Sequence, residues 1–141
     1  MIDDKKLLEA IKKSNLIDQN KFKGIIEEAE REKIEVISMV RKLIDPEEIT
    51  KIEAGFYNME YKNLLEEKIP EKALHIISSD VAQNYKVICF DKKDKKIKVG
   101  VTNPDNFKAI EAIDFLAKGG GLSAKYFYIS TQSFSAAFRR Y

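Results

Sequence analysis

Two stretches set 27 positions apart, Leu16-Ile17-Asp18-Gln19-Asn20-Lys21-Phe22 and Leu43-Ile44-Asp45-Pro46-Glu47-Glu48-Ile49, share one design. Each has an apolar pair, then an aspartate, then an apolar residue four positions later. An aspartate placed just before an amphipathic run accepts a hydrogen bond from a free N–H of the first helical turn, so Asp18 and Asp45 read as N-caps. Pro46 takes the first helical position, where its missing N–H is not needed, and Glu48 stands at the capping-box distance from Asp45. A further amphipathic run precedes each cap. Residues 3–13 put Leu7, Leu8 and Ile11 on one face behind Asp3 and Asp4, and residues 34–43 form a second short helix. The helix after Asp18 runs over about residues 19–31, with Phe22, Ile25, Ile26 and Ala29 inward. Residues 1–58 are therefore expected to form a helical subdomain of two helix–turn–helix repeats.

The pattern then changes. Tyr57, Met59 and Tyr61 alternate briefly, and Leu64, Leu65 and Ile69 lead irregularly to Pro70; the boundary between modules is placed here. Residues 71–78 read as a helix carrying the single histidine, His75. From about residue 81 the apolar period falls to two. Residues 84–91 and 96–102 flank the polar turn Lys92-Lys93-Asp94-Lys95-Lys96 and read as a β-hairpin. In its second strand Ile97, Val99 and Val101 alternate with Lys98, Gly100 and Thr102, which predicts one buried face and one more polar face. Asn103 and Pro104 follow as expected N-cap and first helical residue, with Phe107, Ile110, Ile113 and Leu116 at helical spacing. Gly119-Gly120-Gly121 stops that helix, residues 124–130 form a third strand, and Thr131 caps a last helix that buries Phe134, Ala137 and Phe138. The expected fold class is α+β: a helical subdomain, then over residues 59–141 a small three-stranded α/β sandwich of order α-β-β-α-β-α with helices on one side of the sheet.

Charge divides along the same line. Residues 1–70 carry 13 Lys/Arg against 16 Asp/Glu, whereas residues 71–141 carry 12 against 7. That asymmetry suits two modules or a face that meets an acidic partner. A single cysteine, Cys89, in the apolar run Val87-Ile88-Cys89-Phe90, reads as core packing and excludes an internal disulfide. With no signal peptide visible, a cytoplasmic location is expected. No apolar run reaches the roughly 18 residues of a membrane span.

No recognisable chemistry stands out. The chain has no GxxxxGK[ST] phosphate loop and no GxGxxG, and one Cys with one His is too few for a zinc site. Asp80, Asp105 and Asp114 read as helix-surface carboxylates and His75 as a surface or packing residue. Lys92, Lys93, Lys95 and Lys96 read as a solubilising hairpin tip. Tyr126, Phe127 and Tyr128 alternate faces, which argues against a stacking platform for single-stranded nucleic acid. No catalytic residue, metal site or cofactor is assigned.

Ile69-Pro70, Val99 to Pro104 and the closing Phe138 to Tyr141, in the order hairpin, helix, glycines, aromatic strand and short helix, resemble the N-terminal domain of type II secretion and type IV pilus assembly ATPases. The resemblance covers residues 60–141 well and residues 1–59 loosely. It implies a non-catalytic interaction domain that docks a hexameric motor to the cytoplasmic part of an inner-membrane assembly protein, peripheral to that membrane and without inserting into it. The parent protein would be the ATPase, with this chain an excised domain or a stand-alone relative. Some relatives bind cyclic di-GMP through tandem motifs resembling Arg-Leu-Gly…Leu…Gly-x-Ile…Leu…Gln. Carried over residue by residue, the first copy puts Lys6 at the Arg place, Leu7 at the Leu, Leu8 at the Gly, Ile11 at the next Leu, Asn15 at the second Gly, Ile17 at the Ile, Phe22 at the Leu and Ala29 at the Gln. In the second copy Lys42 takes a Gly place and Phe56 the Gln place. Lys6 lacks the planar fork of arginine, and Leu8 has a side chain where glycine would let a ligand approach. A docking module is therefore the expected function, with a cyclic di-GMP sensor as the alternative; neither that ligand nor nucleic acid is an expected partner.

Overall fold

The computed structural model describes residues 2–141, which divide into two units between Phe56 and Tyr57, two residues before the expected boundary. The first unit is four helices: α1 (Asp4–Lys13), α2 (Gln19–Glu32), α3 (Val36–Leu43) and α4 (Pro46–Phe56). Leu7, Ile11, Ile17, Phe22, Ile25, Ile37, Val40, Ile44 and Ile49 make its core. Helix α1 is capped by Asp3, whose carboxylate accepts from Lys5 N–H at 3.0 Å. The buried stripe of α2 is Phe22, Ile25 and Ala29; Ile26 falls on its margin and is exposed, contrary to expectation.

The second unit contains β1 (Glu60–Tyr61), α5 (Glu71–Leu74), α6 (Ser79–Tyr85), β2 (Val87–Lys93), β3 (Lys96–Val101), α7 (Phe107–Gly119), β4 (Ser123–Tyr128) and α8 (Thr131–Phe138). The sheet has four strands, not three, in the order β1-β4-β3-β2. β2 and β3 form the antiparallel hairpin, β4 runs parallel to β3, and β1 runs parallel to β4. The extra strand is two residues long, so it has no period of its own and exists only through its pairing with β4.

Several local expectations are corrected. Residues 71–78 are not one helix: α5 ends at Leu74, and α6 begins after Ser78, whose hydroxyl accepts from Val81 N–H. Asn84 and Tyr85 belong to α6, and β2 starts only after Lys86 turns the chain in the left-handed region (φ 55°). Asn103 is not the N-cap of α7. Its Oδ1 accepts from Asp105 N–H at 3.1 Å, a local turn that inserts three residues, and Asn106 then caps the helix through Ala109 N–H at 3.2 Å. Pro104 accordingly sits in that turn and not at the first helical position. The later start rotates the buried stripe to Ala109, Ile113 and Ala117, leaving Phe107 72% exposed. Ser130, not Thr131, caps α8. Nor is cover confined to one side of the sheet: the consecutive residues Val87, Ile88, Cys89 and Phe90 are all buried, so both faces of β2 are covered there.

The core of this unit is pinned by two polar contacts of long sequence separation. The buried Leu64 N–H donates to Ser133 Oγ at 3.0 Å. The Tyr141 hydroxyl sits 3.0 Å from Leu74 O and 2.7 Å from Ile77 O, and burial pushes its pKa up to about 12. Ser133→Ala removes the acceptor and strands the Leu64 N–H, so a loss of about 1–3 kcal/mol is expected in urea unfolding, where Ser135→Ala on the exposed side of α8 is expected to be near neutral. Burial likewise pushes the Cys89 thiol up to about 12, which fits a packing role.

Candidate functional site

The repeat noted in the sequence is a repeat in three dimensions. Asp18 Oδ1 accepts from Asn20 N–H at 3.0 Å, and Asp45 Oδ1 accepts from Glu47 N–H at 2.9 Å. Phe22 N–H returns to Asp18 O at 2.8 Å, and Ile49 N–H to Asp45 O at 3.3 Å. In both copies the isoleucine before the cap and the apolar residue four after it are buried in one core, Ile17 with Phe22 and Ile44 with Ile49. This is the spacing of a hydrophobic staple, which fixes the angle at which the chain enters the helix. Asp18→Ala and Asp45→Ala are each expected to lower the melting free energy by about 1 kcal/mol, whereas Asn at either position is expected to be nearly silent.

The residues carried over from the nucleotide motif separate into two groups. Leu7, Ile11, Ile17 and Phe22 are buried in the helical core, where they hold helices together and offer no side chain to a ligand. Lys6 and Asn15 are exposed, and Leu8 is half-buried. Asn15 holds a left-handed backbone (φ 60°). Asparagine adopts that conformation more readily than other side-chain-bearing residues, so the backbone shape open to glycine persists at this place. Lys42, at the matching place of the second copy, lies inside α3. Between α2 and α3 runs an open groove of about 750 Å³ lined by Lys21, Gly24, Glu28, Met39 and Lys42, of mixed charge. Elsewhere in this unit Arg41 lies 3.6 Å from Glu53, and burial raises the Glu53 pKa despite that cation.

In the second unit the carboxylates have separate local roles. Asp114 accepts from the Tyr126 hydroxyl, Asp105 accepts from the Tyr57 hydroxyl at 3.0 Å, and Asp80 lies in the first turn of α6. Among the described residues no group of His, Cys, Asp and Glu could hold a metal, and no helix is long and apolar enough to cross a membrane. His75 is exposed and meets the Tyr141 ring edge-on at 5.7 Å.

A basic half-sheet was not legible in the sequence. The bulge between Cys89 and Asp91 puts Phe90 against Phe127, with ring centroids 5.3 Å apart. Three ammonium groups lie over these rings: Lys62 at 5.9 Å from the Phe90 centroid, and Lys98 and Lys125 at 5.9 and 5.2 Å from that of Phe127. Lys98 and Lys125 are register partners on neighbouring strands. Each also meets one acid, Asp91 at 3.8 Å and Glu60 at 2.8 Å, and the Lys125 ammonium holds the Glu60 carboxyl below its ordinary range. The lysines come from strands and a loop far apart in sequence, so only the register brings them together.

Comparison with known proteins adds a family and a fold. Residues 57–141, the whole second unit, match the MshEN domain. The structure of MshE with cdg shares the fold with a TM-score of 0.65 at 9% identity, over 96% of this chain and 97% of that one. Two crystal forms of the N-terminal domain of XpsE give TM-scores of 0.58 and 0.56 at 11% and 13% identity, each covering 100% of this chain and 99% and 97% of theirs. No curated protein matches.

Proposed function

The chain belongs to the MshEN domain family, the N-terminal domains of secretion and pilus assembly ATPases, and we propose that within that family it serves as a docking module. It is the N-terminal and not the catalytic part of such a motor. On this reading it joins the ATPase to the cytoplasmic part of an inner-membrane assembly protein, and it works in the cytoplasm beside that membrane. The observation that carries the proposal is the match of the whole second unit to the family, in a chain whose fold runs end to end with the N-terminal domain of XpsE. Co-elution in size-exclusion chromatography tests it: a complex with the cytoplasmic part of the assembly protein of its own system is expected, and independent elution at concentrations near 0.1 mM would overturn it.

One observation favours a second reading, cyclic di-GMP sensing by the helical unit. Asn15 keeps the left-handed backbone at a glycine place of the tandem motif. Against it stand the Leu8 side chain at the other glycine place and the lysine in place of arginine. An amide-shift NMR titration separates the two. Saturable shifts confined to residues near Lys6 to Ala29 and Lys33 to Phe56 make the domain a sensor; no shifts up to roughly millimolar nucleotide leave docking alone.

A further inference from the structure

The N-terminal half of β4 has a strand on one side only. β1 begins opposite Phe127, and two residues before it Asn58 takes a left-handed backbone (φ 52°). The direction of the β4 backbone groups follows from bonds at its ends. Ser123 N–H donates to Lys95 O at 2.8 Å and Ile129 N–H to Val101 O at 3.0 Å, so odd-numbered residues address β3. Lys62 N–H donates to Tyr128 O at 3.0 Å, so even-numbered residues address the β1 side. The N–H and C=O of Ala124 therefore point along the line that β1 vacates, and among the described residues no loop backbone bonds to them there.

The two faces beside this edge differ. On one, Lys98 and Lys125 cross the register, with Lys96 opposite Ser123. On the other, half-buried Ala124 and Tyr126 lie beside α7, where the Tyr126 hydroxyl is 3.3 Å from Ile110 O. We infer that this edge accepts an extended segment of a partner protein whose side chains alternate acidic and apolar, paired to β4 through Ala124, with its acids against Lys125 and its apolar residues beside Ala124 and Tyr126. The inference rests on the docking function proposed above and names the chemistry of the docked segment. Strand addition at a sheet edge draws affinity from main-chain bonds and selectivity from alternate side chains. A nucleic acid suits the site less well. Phe90 and Phe127 are buried under ammonium groups and offer no stacking face, the cations are lysines without a bidentate fork, and Glu60 and Asp91 would face a continuous phosphate chain. Glu60 occupies Lys125 in the free domain, so it competes with the incoming acid.

The test uses this chain with three probes: the peptide acetyl-Thr-Glu-Val-Glu-Val-Glu-amide, its Lys-for-Glu counterpart, and an eight-residue oligo-thymidylate, each followed by amide-shift NMR. The acidic peptide is expected to bind, shifting amides of Ser123 to Tyr126, and the basic one is not. Lys125→Glu should weaken binding by about tenfold, Glu60→Gln should tighten it, and added salt should weaken it. Ala124→Pro, which deletes the edge donor at a position where an edge strand tolerates proline, should abolish the shifts while Lys125→Glu retains the wild-type melting temperature. Equal binding of both peptides, tighter binding of the oligonucleotide, or no binding of the acidic peptide at roughly millimolar concentration would each overturn the inference. If the peptide fails while the assembly protein still co-elutes, docking stands and this edge is not its seat; if both fail, the docking function falls with it.

Discussion

Gly100→Ala destabilises the second unit by about 1–3 kcal/mol, although alanine is no worse than glycine in most strands. Gly100 is the next-to-last residue of β3, opposite Ile88 on one side and Phe127 on the other. A Cβ there would lie 2.9 Å from both Cδ1 and Cγ2 of Ile129 and 3.3 Å from its Cγ1. Cδ1 can swing, but Cγ2 is fixed by the β-branch, and Ile129 is fully buried with its N–H bonded to Val101 O. The strain therefore passes to the β3–β4 register. Urea unfolding measures it, and the partner is identifiable by a double-mutant cycle. Ile129→Ala alone should cost about 2–5 kcal/mol through its cavity. In the Gly100→Ala background it also relieves the overlap, so the two losses should combine to less than their sum by on the order of 1 kcal/mol. Strict additivity would show that Ile129 does not set the size limit at position 100.

Phe22→Ala should destabilise the helical unit by about 3–5 kcal/mol, with loss of helical circular dichroism and of hydrogen-exchange protection in α1 to α4. The ring belongs to a small cluster of nine buried apolar residues, so little else can fill the space it leaves. It is also one jaw of the first staple, so its removal frees the entry of α2 as well as opening a cavity. Ile49→Ala is the same test in the second copy and should cost about 2–5 kcal/mol. If Phe22→Ala proved no worse than Asp18→Ala, the staple would contribute little and the caps alone would define the repeat.

What the sequence made legible was local. The caps at Asp18 and Asp45 and the glycine stop after α7 depend on one or two hydrogen bonds within a few residues, and those bonds can be read from residue type. The start of α7 misled for the same reason. Asn103-Pro104 and Asn106-Phe107 each offer a plausible cap, and the choice is made by packing Ala109, Ile113 and Ala117 on the sheet. β1 lay beyond local reading, because a two-residue strand has no period and its partner lies 67 residues away in register. The basic half-sheet was hidden similarly. Lys62, Lys98 and Lys125 look like scattered surface charges until the strand order places them over Phe90 and Phe127. Of the residues carried over from the nucleotide motif, the apolar ones reached the core because a helical repeat needs them there whatever it binds.

The most direct test of the docking function is a calorimetric titration of this domain with the purified cytoplasmic part of the inner-membrane assembly protein from its own system. The docking function predicts saturable binding of roughly micromolar affinity, about −8 kcal/mol, weakened by salt and by Lys125→Glu. Absence of binding at ten times that concentration, alongside saturable binding of cyclic di-GMP to the helical unit, would contradict it and make this domain a nucleotide sensor.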